Sequence, residues 1–117
     1  MDDDPDTCSA LRLLLEERGA VVLTASSGRE ARPVLESWSP SLLVSDIRLP
    51  EEDGCALVRQ LHSLDRFRTL PAIAITAYDV DRGRIAEAGF QACFGKPVLP
   101  EDFVTVAASL VHKQPSN

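Results

Sequence analysis

Asp46, Thr76 and Lys96 are the residues whose types and places could do chemistry together. Each closes a short apolar run: Leu42-Leu43-Val44 before Ser45-Asp46, Ala72–Thr76, and Ala92–Phe94 before Gly95-Lys96-Pro97. Runs without polar alternation read as strands buried on both faces of a parallel sheet. In such sheets ligands bind in the crevice outside the carboxyl ends of the strands. A carboxylate there costs free energy unless it is solvated, paired or metal-bound. Two more acids, Asp2 and Asp3, are available beside it. The set suits phosphoryl transfer to a carboxylate, with Asp46 as the nucleophile that becomes an aspartyl phosphate. Three crowded acids need a divalent cation to stay ionised together. Magnesium fits, because it prefers carboxylate oxygens and bridges to phosphate. The Thr76 hydroxyl and the Lys96 ammonium would take the remaining phosphoryl oxygens. Plainer readings stand beside this one. Asp46 could solvate a strand end or cap the turn before Pro50, Thr76 could be an ordinary β-branched strand residue, and Lys96 a solvated surface charge.

The elements that must position these residues can be read in order. An acidic run, Asp2-Asp3-Asp4-Pro5-Asp6, favours the start of a helix, and Pro5 is tolerated in its first turn. That helix is expected to reach about Arg18, with Leu11, Leu14 and Leu15 on one face and Gly19 as its stop. Ala20–Ala25, AVVLTA, reads as a β-branched strand. Ser27 to Glu30 has capping-box spacing and starts a helix to about Ser37, which Pro33 should kink or shorten. A third helix, about Cys55 to Leu64, should turn Leu57, Val58, Leu61 and Leu64 inward. A short helix is expected over Asp81–Ala88, stopped by Gly89. The last helix, from near Pro100, carries Phe103, Val106, Ala107, Leu110 and Val111 at helical spacing. Strands alternating with helices through short loops mean a parallel sheet covered on both faces.

Composition bounds the function classes. At 117 residues, 44% of them apolar and 26% charged, the chain is one globular domain. We place the domain at residues 1–112 and a disordered tail at 113–117. The net charge of −6 argues against direct nucleic-acid binding, and no apolar run is long enough for membrane insertion. The acidic start does not resemble a signal peptide. Cys8, Cys55 and Cys93 form no CxxC pair and no disulfide framework, which fits a reduced, cytoplasmic setting. His62 and His112 read as solvated helix residues, Trp38 as a local packing residue, and Glu51-Glu52-Asp53 as a solvated loop. Asp79-Val80-Asp81 opens like a calcium loop, but Arg84 and Phe90 stand where that loop needs Gly and Glu.

The order and spacing of several short pieces carry a family resemblance. Asp2-Asp3-Asp4-Pro5, Ser45-Asp46-Ile47-Arg48-Leu49-Pro50, Asp53-Gly54, Ile75-Thr76-Ala77, Ala88-Gly89 and Gly95-Lys96-Pro97 together resemble the receiver domain of bacterial two-component response regulators, along almost the whole chain. The resemblance implies a flavodoxin-like, doubly wound, three-layer α/β fold with family strand order 2-1-3-4-5. It implies Asp46 as phosphoacceptor, Thr76 as switch hydroxyl and Lys96 as ion-pair partner, with a cis Lys96–Pro97 bond. Magnesium would be held directly by Asp3 and Asp46 and by the backbone carbonyl of Arg48, and through water by Asp2. The implied partner is a histidine kinase or phosphotransfer protein, with a phosphorylation-dependent dimer as one output. The module would not be an enzyme beyond catalysing its own phosphorylation and dephosphorylation.

Three features depart from the family pattern. Only Met1 precedes Asp2, where relatives place the central strand of the sheet. Its absence would leave a gap about 10 Å across between flanking strands, with unpaired backbone groups and marginal stability. Cys93 replaces the switch aromatic three residues before the lysine, although Tyr78 and Phe94 are near. The stretch from Thr76 to Gly89 is short by about half a helical turn. The chain is expected to be a stand-alone receiver, or the C-terminal receiver of a hybrid kinase. Two other readings remain: a degenerate receiver acting as a protein-binding scaffold, and a phosphatase of the haloacid-dehalogenase type. The latter needs a second acid two residues after the nucleophile, where this chain has Arg48.

Overall fold

The fold is that of a computed structural model, which describes residues 1–76 and 82–112, the side chain of His112 excepted. The expected helix start at Asp81, the readings of Ala77, Tyr78 and Asp79–Asp81, and the expected tail at 113–117 lie outside the described residues. Helix α1 spans Pro5–Glu16, with Asp4 as N-cap accepting from the Asp6 N–H. It ends where Gly19 turns to φ 87°, a conformation natural only to glycine. Helix α2 spans Gly28–Ser37, capped by Ser27, whose side chain accepts from the Glu30 N–H. It runs on through Pro33 to the expected end, so the lost hydrogen bond does not shorten it.

Strand β1 is Leu43–Asp46. Two short pieces, β2 (Arg48–Leu49) and β3 (Glu52–Asp53), form an antiparallel hairpin inside what the sequence reads as a loop. Helix α3 spans Gly54–His62 and a single 3-10 turn covers Asp65–Phe67. Strand β4 (Ala72–Thr76), helix α4 (Arg82–Ala88), strand β5 (Ala92–Gly95) and helix α5 (Pro100–His112) complete the order. The sheet is parallel, in order β1-β4-β5, with Asp46 beside Ile75 and Thr76 beside Gly95.

Alternation along β4 divides the core between two faces. Ile73 and Ile75 pack with Leu11 of α1 and with Phe103 and Ala107 of α5. Ala72 and Ala74 face Leu35 of α2, Leu57, Val58 and Leu61 of α3, and Ile85 and Ala88 of α4. Helices therefore cover both faces, and the fold class is the doubly wound one expected. Two core expectations fail at helix ends. Leu64 lies beyond α3 and is 48% exposed, and Val111 on the last turn of α5 is 38% exposed.

A larger correction concerns residues 20–25, which form no strand. A strand exists only as part of a ladder, and the place beside this segment is held by Met1 and Asp2 alone. The Met1 ammonium donates to the Val44 carbonyl and the Asp46 N–H donates to the Met1 carbonyl. On the other side, the Asp2 N–H reaches the Ala25 carbonyl at 3.1 Å. Above this stub runs a groove of about 730 Å3 lined by Leu11, Leu15, Val21, Leu23, Leu35 and Val44. Val21 is 76% and Leu23 51% exposed for want of a neighbour.

This distribution of burial predicts a sharp contrast. Leu57→Ala, at a fully buried site, should cost about 2–5 kcal/mol in urea unfolding. Val21→Ala should change stability by no more than about 0.5 kcal/mol. Equal losses at both positions would contradict the placement of the core.

Candidate functional site

Parallel register brings the three expected side chains to one edge. Asp46 ends β1, Thr76 ends β4, and Lys96 follows β5, all at the carboxyl end of the sheet. Asp46 is 7% and Thr76 3% exposed. Lys96 is held by its N–H to the Thr76 carbonyl at 2.7 Å and precedes a cis bond to Pro97, as the sequence implied. Its Nζ lies 2.9 Å from Asp46 Oδ2 and 2.7 Å from Asp2 Oδ2. Burial works to lower the Lys96 pKa, but the Asp2 and Asp46 carboxylates that face its ammonium outweigh it, so the pKa is raised.

The acid pair arrives by backbone pairing of Met1. Asp2, 2% exposed, points inward, while Asp3 is exposed. One Asp2 oxygen accepts from the Asp4 N–H. The other, Oδ2, is buried with no hydrogen-bond partner, its ion pair with Lys96 being close but poorly aligned. Asp2, Asp3 and Asp46 offer three carboxylate oxygens within 4.8 Å of one another. An orphaned buried carboxylate oxygen within an all-oxygen donor set fits a hard divalent cation. The Arg48 N–H donates to Asp46 Oδ1 at 3.2 Å, and the Arg48 side chain is exposed. The Met1 ammonium sits under the same cluster, and burial, its largest influence, lowers its pKa.

Further polar contacts around the site were not legible as such in the sequence. Asp53 caps α3 by accepting from the Cys55 N–H, and it pairs with Arg84 of α4. Burial pushes the Asp53 pKa up, but the Arg84 and Cys55 hydrogen bonds win and hold it below the usual range. Glu52 pairs with Arg32 of α2 at 2.7 Å. These two acids are therefore anchors of the β2–β3 hairpin, not a solvated loop. His62 is likewise no solvated residue, since its Nε2 lies 2.8 Å from the Leu70 carbonyl oxygen. Gly54 alone had a signal, as the glycine after Asp53. A Cβ there would collide with the Asp46 carbonyl oxygen, so glycine lets the start of α3 pass close under the site. Cys93, in place of an aromatic, is half-buried against the α3–α4 side of the core.

A doubly wound parallel sheet with an acidic cluster, a buried threonine and a paired lysine at its carboxyl edge defines a CheY-like α/β module. Residues 1–108 match the model of the response regulator receiver domain, and the chain belongs to that family. It is thus a phosphoacceptor module of two-component signalling. An uncharacterised 14.6 kDa protein from the sodA1 3′ region of Leptolyngbya boryana is 44% identical over 106 residues, covering 89% of this chain and 81% of its own length. The receiver domain of a signal transduction histidine kinase from Syntrophus aciditrophicus is 30% identical, with TM-score 0.87 over 100% of this chain and 92% of that one. The receiver domain of the sensor histidine kinase PA1611 from Pseudomonas aeruginosa holds a magnesium ion in its active-site cleft. At 23% identity and TM-score 0.85, over 97% of this chain and 94% of that one, it shares the fold. The chain spans about half the length of two further curated relatives. Among the described residues no helix is long and apolar enough to cross a membrane.

The Lys96 contacts generate a pH dependence. A raised folded pKa means stability that is fully present below the unfolded value and lost as pH rises through the folded one. Metal-free protein should therefore lose stability as the pH rises above about 10.4, the ordinary lysine value, and Lys96→Met should remove that part of the loss in urea titrations. An unchanged pH profile in the variant would refute the ion pair.

Proposed function

We propose that Asp46 is the residue that accepts the phosphoryl group, from a histidine kinase or phosphotransfer protein. The observation that carries this reading is the meeting of Asp46, Lys96 and the acid pair at one sheet edge, with Lys96 ion-paired to both Asp2 and Asp46. An Asp46 oxygen attacks phosphorus, the bond from phosphorus to the donor's imidazole nitrogen breaks, and the imidazole leaves with the electron pair. Lys96 and the Thr76 hydroxyl then bind the oxygens of the new aspartyl phosphate. Asp3, Asp46 and the Arg48 carbonyl would hold magnesium, with Asp2 engaging it through water. Bound there, the cation would neutralise the acids and the charge on the transferred group. The same residues would serve self-phosphorylation from small phosphodonors and later hydrolysis, which is the extent of any enzymatic activity. A cytoplasmic setting, a dimer formed on phosphorylation and the absence of direct nucleic-acid contact complete the reading.

Incubation with acetyl phosphate and magnesium should add one phosphoryl group, seen by intact mass, and Asp46→Asn should take up none. Labelling of that variant would move the phosphosite elsewhere.

Magnesium should bind with the weak affinity of a few carboxylates and several waters, and Asp3→Ala should weaken it more than Asp2→Ala. Calorimetry giving equal affinity for the wild type and Asp3→Ala would contradict the ligand assignment.

A further inference from the structure

We propose that Arg32 and Arg84 are positioning residues: acting through Glu52 and Asp53, they hold the β2–β3 hairpin so that the Arg48 backbone faces Asp46. The register of the hairpin sets that orientation. Arg48 stands opposite Asp53, and Leu49 opposite Glu52. The Gly54 N–H donates to the Ile47 carbonyl at 2.7 Å, just outside the Arg48–Asp53 pair. In an antiparallel ladder this makes Arg48 and Asp53 a non-hydrogen-bonded pair, and Leu49 and Glu52 the pair that exchanges hydrogen bonds. Arg48 therefore directs its N–H and carbonyl away from β3. The N–H meets Asp46 Oδ1 at 3.2 Å. The carbonyl, the backbone ligand proposed above for magnesium, leaves the strand on the same side.

A ladder of two pairs does not hold that orientation by itself, because an isolated two-stranded hairpin is marginal in water. Leu49 is buried and pins the hairpin to the core at one point. The remaining side-chain ties are ionic and come from two helices. Arg32 of α2 reaches Glu52 at 2.7 Å and, from the same nitrogen, Gln60 of α3 at 2.7 Å. The Glu52 carboxylate lies so close over Gly28 that a Cβ there would collide with it. Arg84 of α4 pairs with Asp53, whose other oxygen caps α3. The Arg32 and Arg84 side chains are 41% and 50% exposed, so each pair contributes little to global stability. Their effect is felt where the opposing free energy is also small, at the hairpin itself.

Native-state hydrogen exchange on the metal-free full chain, read by NMR, tests this without magnesium or a phosphoryl group. The Arg48, Leu49 and Glu52 amides should exchange about threefold faster in Arg32→Gln or Arg84→Gln, and about tenfold faster in the double variant. Amides of β4 should be unchanged, and Arg84→Lys, which keeps the charge, should stay near the wild type. Arg66→Gln removes an exposed arginine bonded to Glu36 and Ser39 and should accelerate none of the three. What the orientation does for the site rests on the magnesium reading above. Calorimetry should show magnesium bound at least about twofold more weakly by the double variant, whose competent hairpin is only partly populated. Unchanged exchange at Arg48, acceleration that spreads to β4 or is matched by Arg66→Gln, fast exchange in Arg84→Lys, or unchanged magnesium affinity in the double variant would each overturn the proposal. A wild type that binds no magnesium would instead refute the ligand assignment, and the exchange data would still decide whether the two arginines position Arg48. Neither measurement depends on Asp46 being the phosphosite.

Discussion

Two hydrogen bonds made by Met1, one from its ammonium to Val44 and one to its carbonyl from Asp46, decide where the acid pair stands. They tie the first residue to β1 in parallel register, and the next two side chains follow as a consequence. Because successive side chains in a strand point to opposite faces, a slip of one residue would exchange Asp2 and Asp3. Asp2 would then leave Lys96, and the buried place would fall to a residue now in solvent. The electrostatics of the site are thus downstream of a backbone contact two residues long. Nothing in the acids themselves selects the register.

Charge balance then explains why the acids can be brought so close. Three carboxylates within 4.8 Å repel one another strongly at the edge of a low-dielectric core. Lys96 answers two of them, and it can do so because its own backbone is fixed to the end of β4 through the Thr76 carbonyl. The Met1 ammonium contributes a further positive charge beneath the cluster. The balance remains incomplete, since Asp2 Oδ2 lacks a hydrogen bond. A cation is what that oxygen set still calls for. Around this centre the hairpin is held by salt bridges to α2 and α4, so the loop after Asp46 is braced from both sides by side chains far apart in sequence.

Local pattern made much of this legible. The apolar runs before Asp46, Thr76 and Lys96 named the strands, and alternation with helices named the parallel sheet. The acidic run before α1, the capping-box spacing from Ser27 and the stop at Gly19 stood where the helix ends fall. What stayed hidden was decided by partners distant in the chain. Glu52 and Asp53 look like solvated acids until Arg32 and Arg84 are brought to them. His62 looks like a surface residue until the segment before β4 passes beneath it and offers the Leu70 carbonyl. Leu64 shows helical spacing but falls two residues beyond the helix, where spacing has no face to refer to.

Residues 20–25 expose the limit of local pattern most clearly. AVVLTA carries three β-branched residues, Val21, Val22 and Thr24, and intrinsic preference alone would make it a secure strand. It is not one, whereas Ala72–Thr76, of similar composition, is fully buried and paired on both sides. The difference lies outside both segments. Strand preference is largely the gain from packing against neighbours on the same sheet, and it is realised only where a ladder supplies them. Between residues 20–25 and β1 the ladder is one stub long, so Val21 and Leu23 keep the chemistry of core residues in the exposure of surface ones. Residues of the helices α1, α2 and α5 line the groove on its other sides. The same contacts that position Asp2 and Asp3 therefore border an apolar groove directly behind them.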